Sequence, residues 1–226
     1  MIANRFFSVI SILFHPVFMP VLGLFLLFSI ETKPTSFYKF DAIFYFPDKA
    51  KYYLYIVIGI LTIIAPVLSL LIMYSNKMIS SLNMKKREER YYPFALVTFY
   101  YILAYVYVRY QIPVEIQHPA LLGFLFGILA VFIVSFILNI FVKVSMHSVG
   151  AFGVAGMLLG YSQTQLPANP EAAPTSLHLI LYLLFIAGFV SGSRVFLKAH
   201  KLNEVIIGSF LGFIFLFVTV KYGIYF

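Results

Sequence analysis

Residues 119–142 read PALLGFLFGILAVFIVSFILNIFV, a stretch without one charged side chain. About twenty such residues are what a helix needs to cross the hydrocarbon core of a bilayer. Comparable runs flank it on both sides: about Phe6 to Ile30, Tyr52 to Tyr74, Pro93 to Arg109, Ser148 to Tyr161, Ser176 to Ser191 and Val205 to Tyr222. The sequence therefore predicts an all-α fold, a polytopic transmembrane helical bundle of about seven spans, with six an acceptable count. The first run is about 25 residues long and no small-residue cleavage site follows it, so it reads as a retained helix rather than a signal peptide. Pro16 and Pro20 predict a bend within it. With no internal repeat and no second domain, residues 1–226 read as one integral membrane domain.

Composition agrees. Of the 226 residues 62% are hydrophobic and only 11% are charged, against roughly 25% charged in a soluble domain. A soluble fold of this size has no means of hiding so much apolar surface. The absence of cysteine excludes disulfides, thiolate zinc sites and cysteine nucleophiles. With no tryptophan, the aromatic belts fall to the 17 tyrosines. The net charge of +8 is the unusual quantity, because scarce charges in a membrane protein serve topology or function.

Three polar junctions hold the interesting groups, and they share one face of the membrane, since two spans separate each from the next. The first is Lys85-Lys86-Arg87-Glu88-Glu89-Arg90-Tyr91-Tyr92-Pro93, where Lys86, Arg87 and Arg90 are cations able to clamp a phosphate. Read alone, it is more simply a solvated cytoplasmic loop or an anionic-lipid contact. The second is Ser145-Met146-His147-Ser148, where a long span ends and a glycine-rich one begins. A helix N-terminus there offers anion-binding N–H groups, Ser145 a hydroxyl, and His147 a transferable proton; a simple helix cap is the plainer reading. The third runs from Ser193 to Glu204 and contains Arg194 and His200. If the segment from His200 onward is helical, His200 and Glu204 stand one turn apart, and the carboxylate fixes the imidazole tautomer. Arg194 presents a planar fork of donors suited to a tetrahedral oxyanion.

Together the junctions resemble the type 2 phosphatidic acid phosphatase superfamily, whose signature is Lys-x6-Arg-Pro, then Pro-Ser-Gly-His, then Ser-Arg-x5-His-x3-Asp. The third element is matched from Ser193 to Glu204 at every spacing, with glutamate in place of aspartate. The second is partial: Ser145 and His147 stand correctly, while Val144 and Met146 replace proline and glycine. The first is weakest, because two tyrosines separate Arg90 from Pro93. The resemblance covers a phosphatase-like core of about residues 75–226. It implies that His200 attacks phosphorus to form a phosphohistidine, that Glu204 orients it, and that His147 protonates the leaving group and then activates water. Arg194, Ser145, Lys86, Arg87 and Arg90 would hold the phosphoryl oxygens. It implies no cofactor and no metal, and the sequence offers no carboxylate cluster suited to magnesium.

The expectation is thus an integral membrane phosphatase acting on a lipid phosphomonoester or diphosphate, a multi-pass protein of a bacterial inner (cytoplasmic) membrane. Its partners would be the lipid phosphate and membrane lipids, with no nucleic acid. The competing expectation is a non-enzymatic anion- or lipid-binding membrane protein, or a transporter, using the same basic cluster. His15 and His178, inside spans, have no carboxylate partner in sequence and are assigned hydrogen-bonded structural roles. His118 is assigned to a loop on the opposite face. Gly156 and Gly160 form a small-xxx-small pair suited to close helix packing within the bundle. Ten of the sixteen cations (Arg5, Lys77, Lys85, Lys86, Arg87, Arg90, Lys143, Arg194, Lys198 and Lys201) fall on the motif face. Setting aside the four assigned to phosphate leaves six against six, so charge alone does not orient the bundle.

Overall fold

Proline placement decides where the first two crossings break. Pro16 has no N–H to offer the carbonyl of Ile12, and the helix that starts at Ile2 stops at Leu13. One tight turn at Pro16–Phe18 follows, and helix resumes from Met19 to Ser29. Pro66 disturbs the second crossing less. There the turn Ile60–Ile64 widens to π geometry, and the Ala65 N–H reaches back to Ile60 O; such a widened turn relieves the clash a proline ring makes inside a helix.

The computed structural model describes residues 2–34, 43–81, 89, 91–167 and 173–226. Among them are α1 (Ile2–Leu13), α2 (Met19–Ser29), α3 (Asp48–Gly59), α4 (Ala65–Ser75), α5 (Tyr91–Gln111), α6 (Pro119–Leu138), α7 (Met146–Thr164), α8 (Ala173–Phe196) and α9 (Leu202–Lys221). Six continuous stretches are long and apolar enough to span a membrane: Ala3–Ser29, Asp48–Ser75, Tyr91–Gln111, Pro119–Leu138, Leu177–Phe196 and Leu202–Lys221. The first two each join two of these helices across a break. Outward-facing apolar side chains such as Phe185 (70% exposed) and Phe210 (66%) require lipid rather than water around them.

Helix α7 is the seventh rod of the bundle and is built differently. It packs against α9, α8 and α2 and most of its residues are buried. A helix shielded from lipid can be less apolar and can carry small residues instead. Those residues let α9 come close: a Cβ on Gly212 would run into the Val149 carbonyl, and one on Gly156 into the Phe213 carbonyl. The glycine pair Gly156 and Gly160 thus serves packing within the bundle, with Gly160 facing Phe217 O.

The ends of α7 define the two ends of the molecule. At its C-terminus β2 (Gln165–Pro167) pairs antiparallel with β1 (Thr32–Pro34), Thr32 opposite Pro167. The connectors 31–51 and 163–175, read from sequence as plain linkers, therefore contain a three-residue ladder at the foot of α2 and α7. His118 is likewise no simple loop residue. It is 2% exposed and caps α6, its Nδ1 accepting the Ala120 N–H at 3.0 Å. Burial pushes its imidazole down to about 4.

Candidate active site

The spacing in the third junction is explained by how α8 ends. The helix stops at Phe196, and Lys198 takes a left-handed conformation (φ 54°) that turns the chain back. The Arg194 carbonyl then accepts both the Ala199 N–H (3.0 Å) and the His200 N–H (3.2 Å). A residue six positions along the chain is folded back over the turn that carries Arg194. His200 lies outside any helix, contrary to the sequence expectation, since α9 begins only at Leu202. Its contact with Glu204 forms nonetheless, because Glu204 in the first turn of α9 reaches back toward the cap. The Glu204 Oε2 receives the His200 Nδ1–H at 2.7 Å and the Lys201 N–H at 3.3 Å. A carboxylate at this end of a helix is also favoured by the helix dipole. With Nδ1–H donated to Glu204, Nε2 is the nitrogen of a neutral His200 that carries the lone pair.

The second junction is tied to the third by backbone and side-chain bonds. The Ser145 N–H donates to Glu204 O (3.2 Å), and Lys143 Nζ donates to Ala199 O (2.8 Å). The absence of a side chain on Gly208 permits this, as a Cβ there would lie 2.7 Å from Ser145 O. His147 follows in the first turn of α7, and its Nε2 donates to the Ser11 carbonyl at 3.1 Å. Ser145 is itself fully buried. Its hydroxyl accepts from Ser148 Oγ (3.0 Å), which accepts from Ser191 Oγ (2.9 Å).

His147, Arg194 and His200 line one cavity of about 260 Å³. They come from α7, α8 and the α8–α9 turn, so residues 53 positions apart in sequence meet. Ser145 is not among the lining residues, and Lys86, Arg87 and Arg90 lie outside the described residues. The Arg194 Nε is buried and has no hydrogen-bond partner among the described residues. An unsatisfied guanidinium nitrogen beside a cavity is costly unless an anion occupies it. The same cavity is also lined by Leu70, Phe94, Val97, Tyr101 and Phe132. One volume therefore offers both hydrogen-bond donors and apolar side chains.

Five further lining residues, among them Ser11 and His15, come from the first crossing, to which sequence reading gave no part in the site. The Pro16 break explains the first: the His15 N–H turns to Ile12 O (3.2 Å), and the Ser11 carbonyl serves His147. The Ser193 hydroxyl donates to Val190 O (2.6 Å), so the Ser11 hydroxyl donates to Ser193 (3.1 Å). These bonds hold the end of α1 against the Ser193-Arg194 turn.

No curated protein and no solved structure matches the chain. A family model does match, from within α6 to the end of α9 and beyond. Residues 134–225, which carry Ser145, His147, Arg194, His200 and Glu204, match the PAP2 superfamily.

Proposed function

We propose that the protein is a membrane phosphatase that removes phosphate from a lipid phosphomonoester or diphosphate through a phosphohistidine on His200. The observation that carries the reading is the convergence of His200, His147 and Arg194 on one cavity that apolar side chains also line. A substrate with an anionic head and a hydrocarbon tail suits such a mixed lining, and a helical bundle in lipid gives the tail somewhere to remain.

In the first step the His200 Nε2 lone pair attacks phosphorus while the bond from phosphorus to the leaving oxygen breaks. Glu204, 2.7 Å from Nδ1, stabilises the positive charge that grows on the ring. His147 supplies a proton to the leaving oxygen. Because its Nε2–H is held by Ser11 O, the exchanging nitrogen is Nδ1, which carries a proton only in the imidazolium form; the step starts from that form and leaves the ring neutral. Arg194 faces the phosphoryl oxygens and offsets charge developing on them, where preorganised donors contribute most. In the second step a water gives its proton to His147 and attacks phosphorus, and the Nε2–P bond breaks to release inorganic phosphate. Ser145, behind His147, acts through the hydroxyl chain it shares with Ser148. Lys86, Arg87 and Arg90 complete the proposal as first-junction cations.

The test is phosphate release from lipid phosphates by the full chain in detergent, comparing the parent with His200→Ala. Loss of turnover in the variant, together with an acid-labile phosphorylated intermediate in the parent, is expected. Unchanged turnover in His200→Ala overturns the mechanism. Retained anion binding in His147→Gln and His200→Gln variants of a protein that never releases phosphate would instead indicate a non-enzymatic anion binder.

A further inference from the structure

The matched stretch begins at residue 134, yet one wall of the cavity comes from residues 11–17, the broken first crossing. The break places an imidazole at that wall. His15 caps the tight turn Pro16–Phe18, its Nδ1 accepting the Val17 N–H at 3.4 Å. With Nδ1 acting as acceptor, the proton of the neutral ring is on Nε2. The ring stands edge-to-face with that of His147, centroids 5.0 Å apart and planes at 82°. His15 lines the same cavity as Arg194 and His200.

We propose that His15 is a phosphate-binding residue: its Nε2–H donates to an oxygen of the bound phosphoryl group from the side of the first crossing, beside His147. This rests on the reading of the cavity as a phosphate site. His15 thereby adds a neutral donor to the cationic Arg194, and the proline that breaks the helix is what aims it. The Ser11 carbonyl belongs to the same device, because the break that frees it also orients His147.

Two substitutions separate binding from helix capping. Asparagine and aspartate both cap helix N-termini well, so His15→Asn and His15→Asp each keep an acceptor for the Val17 N–H. Asparagine also keeps a donor for the ligand, whereas aspartate removes it and adds a like charge. Inorganic phosphate is the probe, and its apparent Kd is read from protection of the full chain against thermal unfolding in detergent. The expected result is a Kd raised at least tenfold in His15→Asp, about 1.4 kcal/mol, and within about threefold of the parent in His15→Asn. Melting without phosphate should match the parent in both. A parental Kd in His15→Asp overturns the proposal, as does an equal loss in both variants, or a parent that phosphate does not protect. The affinity measurement does not depend on turnover. A fully active His200→Ala would refute the phosphohistidine mechanism and leave the role of His15 standing or falling on its own Kd.

Discussion

Glu204 occupies the position at which the superfamily signature has aspartate, and restoring aspartate should damage this protein. The carboxylate of Glu204 reaches back from the first turn of α9 to take the His200 Nδ1–H at 2.7 Å. Aspartate is one methylene shorter, which withdraws the oxygens by about 1.3–1.5 Å. The contact would open to about 4 Å, past the range of a hydrogen bond. Backbone movement cannot easily close the gap, because Glu204 O is held by the Ser145 N–H and the adjacent Gly208 already abuts Ser145 O. A hydrogen bond to a charged group contributes about 1.5–3 kcal/mol, and 1.36 kcal/mol is a factor of ten in rate. Glu204→Asp should therefore lower kcat/KM by about ten- to a hundredfold. The 3.3 Å bond from the Lys201 N–H would be lost as well, costing about 0.5–1 kcal/mol of helix capping. The assay is phosphate release from phosphatidate and from a polyprenyl diphosphate by purified parent and variant, with melting curves for both. A Glu204→Asp variant at or above parental activity refutes the argument that the reach of this side chain sets the orientation of His200.

Two further outcomes test the fold. Gly212→Ala should lower the melting temperature, since its Cβ meets the Val149 carbonyl across the α7–α9 contact and overpacking of this kind costs about 1–3 kcal/mol; Gly59→Ala, with nothing within 4 Å of the new methyl, should be neutral or slightly stabilising, and equal effects would contradict the packing described. His118, held at about 4 by burial, must stay neutral for α6 to keep its cap: its folded value lies below the ordinary 6.5, so its contribution is intact above about pH 6.5 and declines as pH falls toward 4, by up to about 3 kcal/mol. Thermal melts of the parent and of His118→Asn across that range should diverge on acidification, and parallel curves would exclude the effect.

The parts of this site legible in sequence are those built by local rules. Ser193 to Glu204 can be read because a helix end, a left-handed residue and a new helix start occupy a fixed number of residues, so Arg194, His200 and Glu204 keep their spacing. Even there the reading assumed a helix through His200. The structure reaches the same contact by a capping turn, since a carboxylate at the third helical position points back at the residues just before the helix. The six long apolar spans were legible for the same reason, as length and apolarity are local properties. The burial of α7 was not, because it depends on neighbours supplied by α2, α8 and α9.

The contribution of the first crossing could not be read at all, and the reason is separation along the chain. Ser11 O and His147 Nε2 are 136 residues apart, and no periodicity links them. The one sequence sign was a histidine before a proline inside an apolar run, which by itself supports a structural role equally well. The structure shows both facts to be aspects of one event. Without Pro16, the His15 N–H would return to Ser11 O as in any α-helix, and His147 would have to share that carbonyl with the helix. A proline that looks like a defect in a membrane helix thus leaves the Ser11 carbonyl to His147 Nε2, and places His15 at the cavity wall. Histidine–proline pairs within a first crossing are therefore worth inspecting wherever a buried helix of the same bundle opens with a histidine.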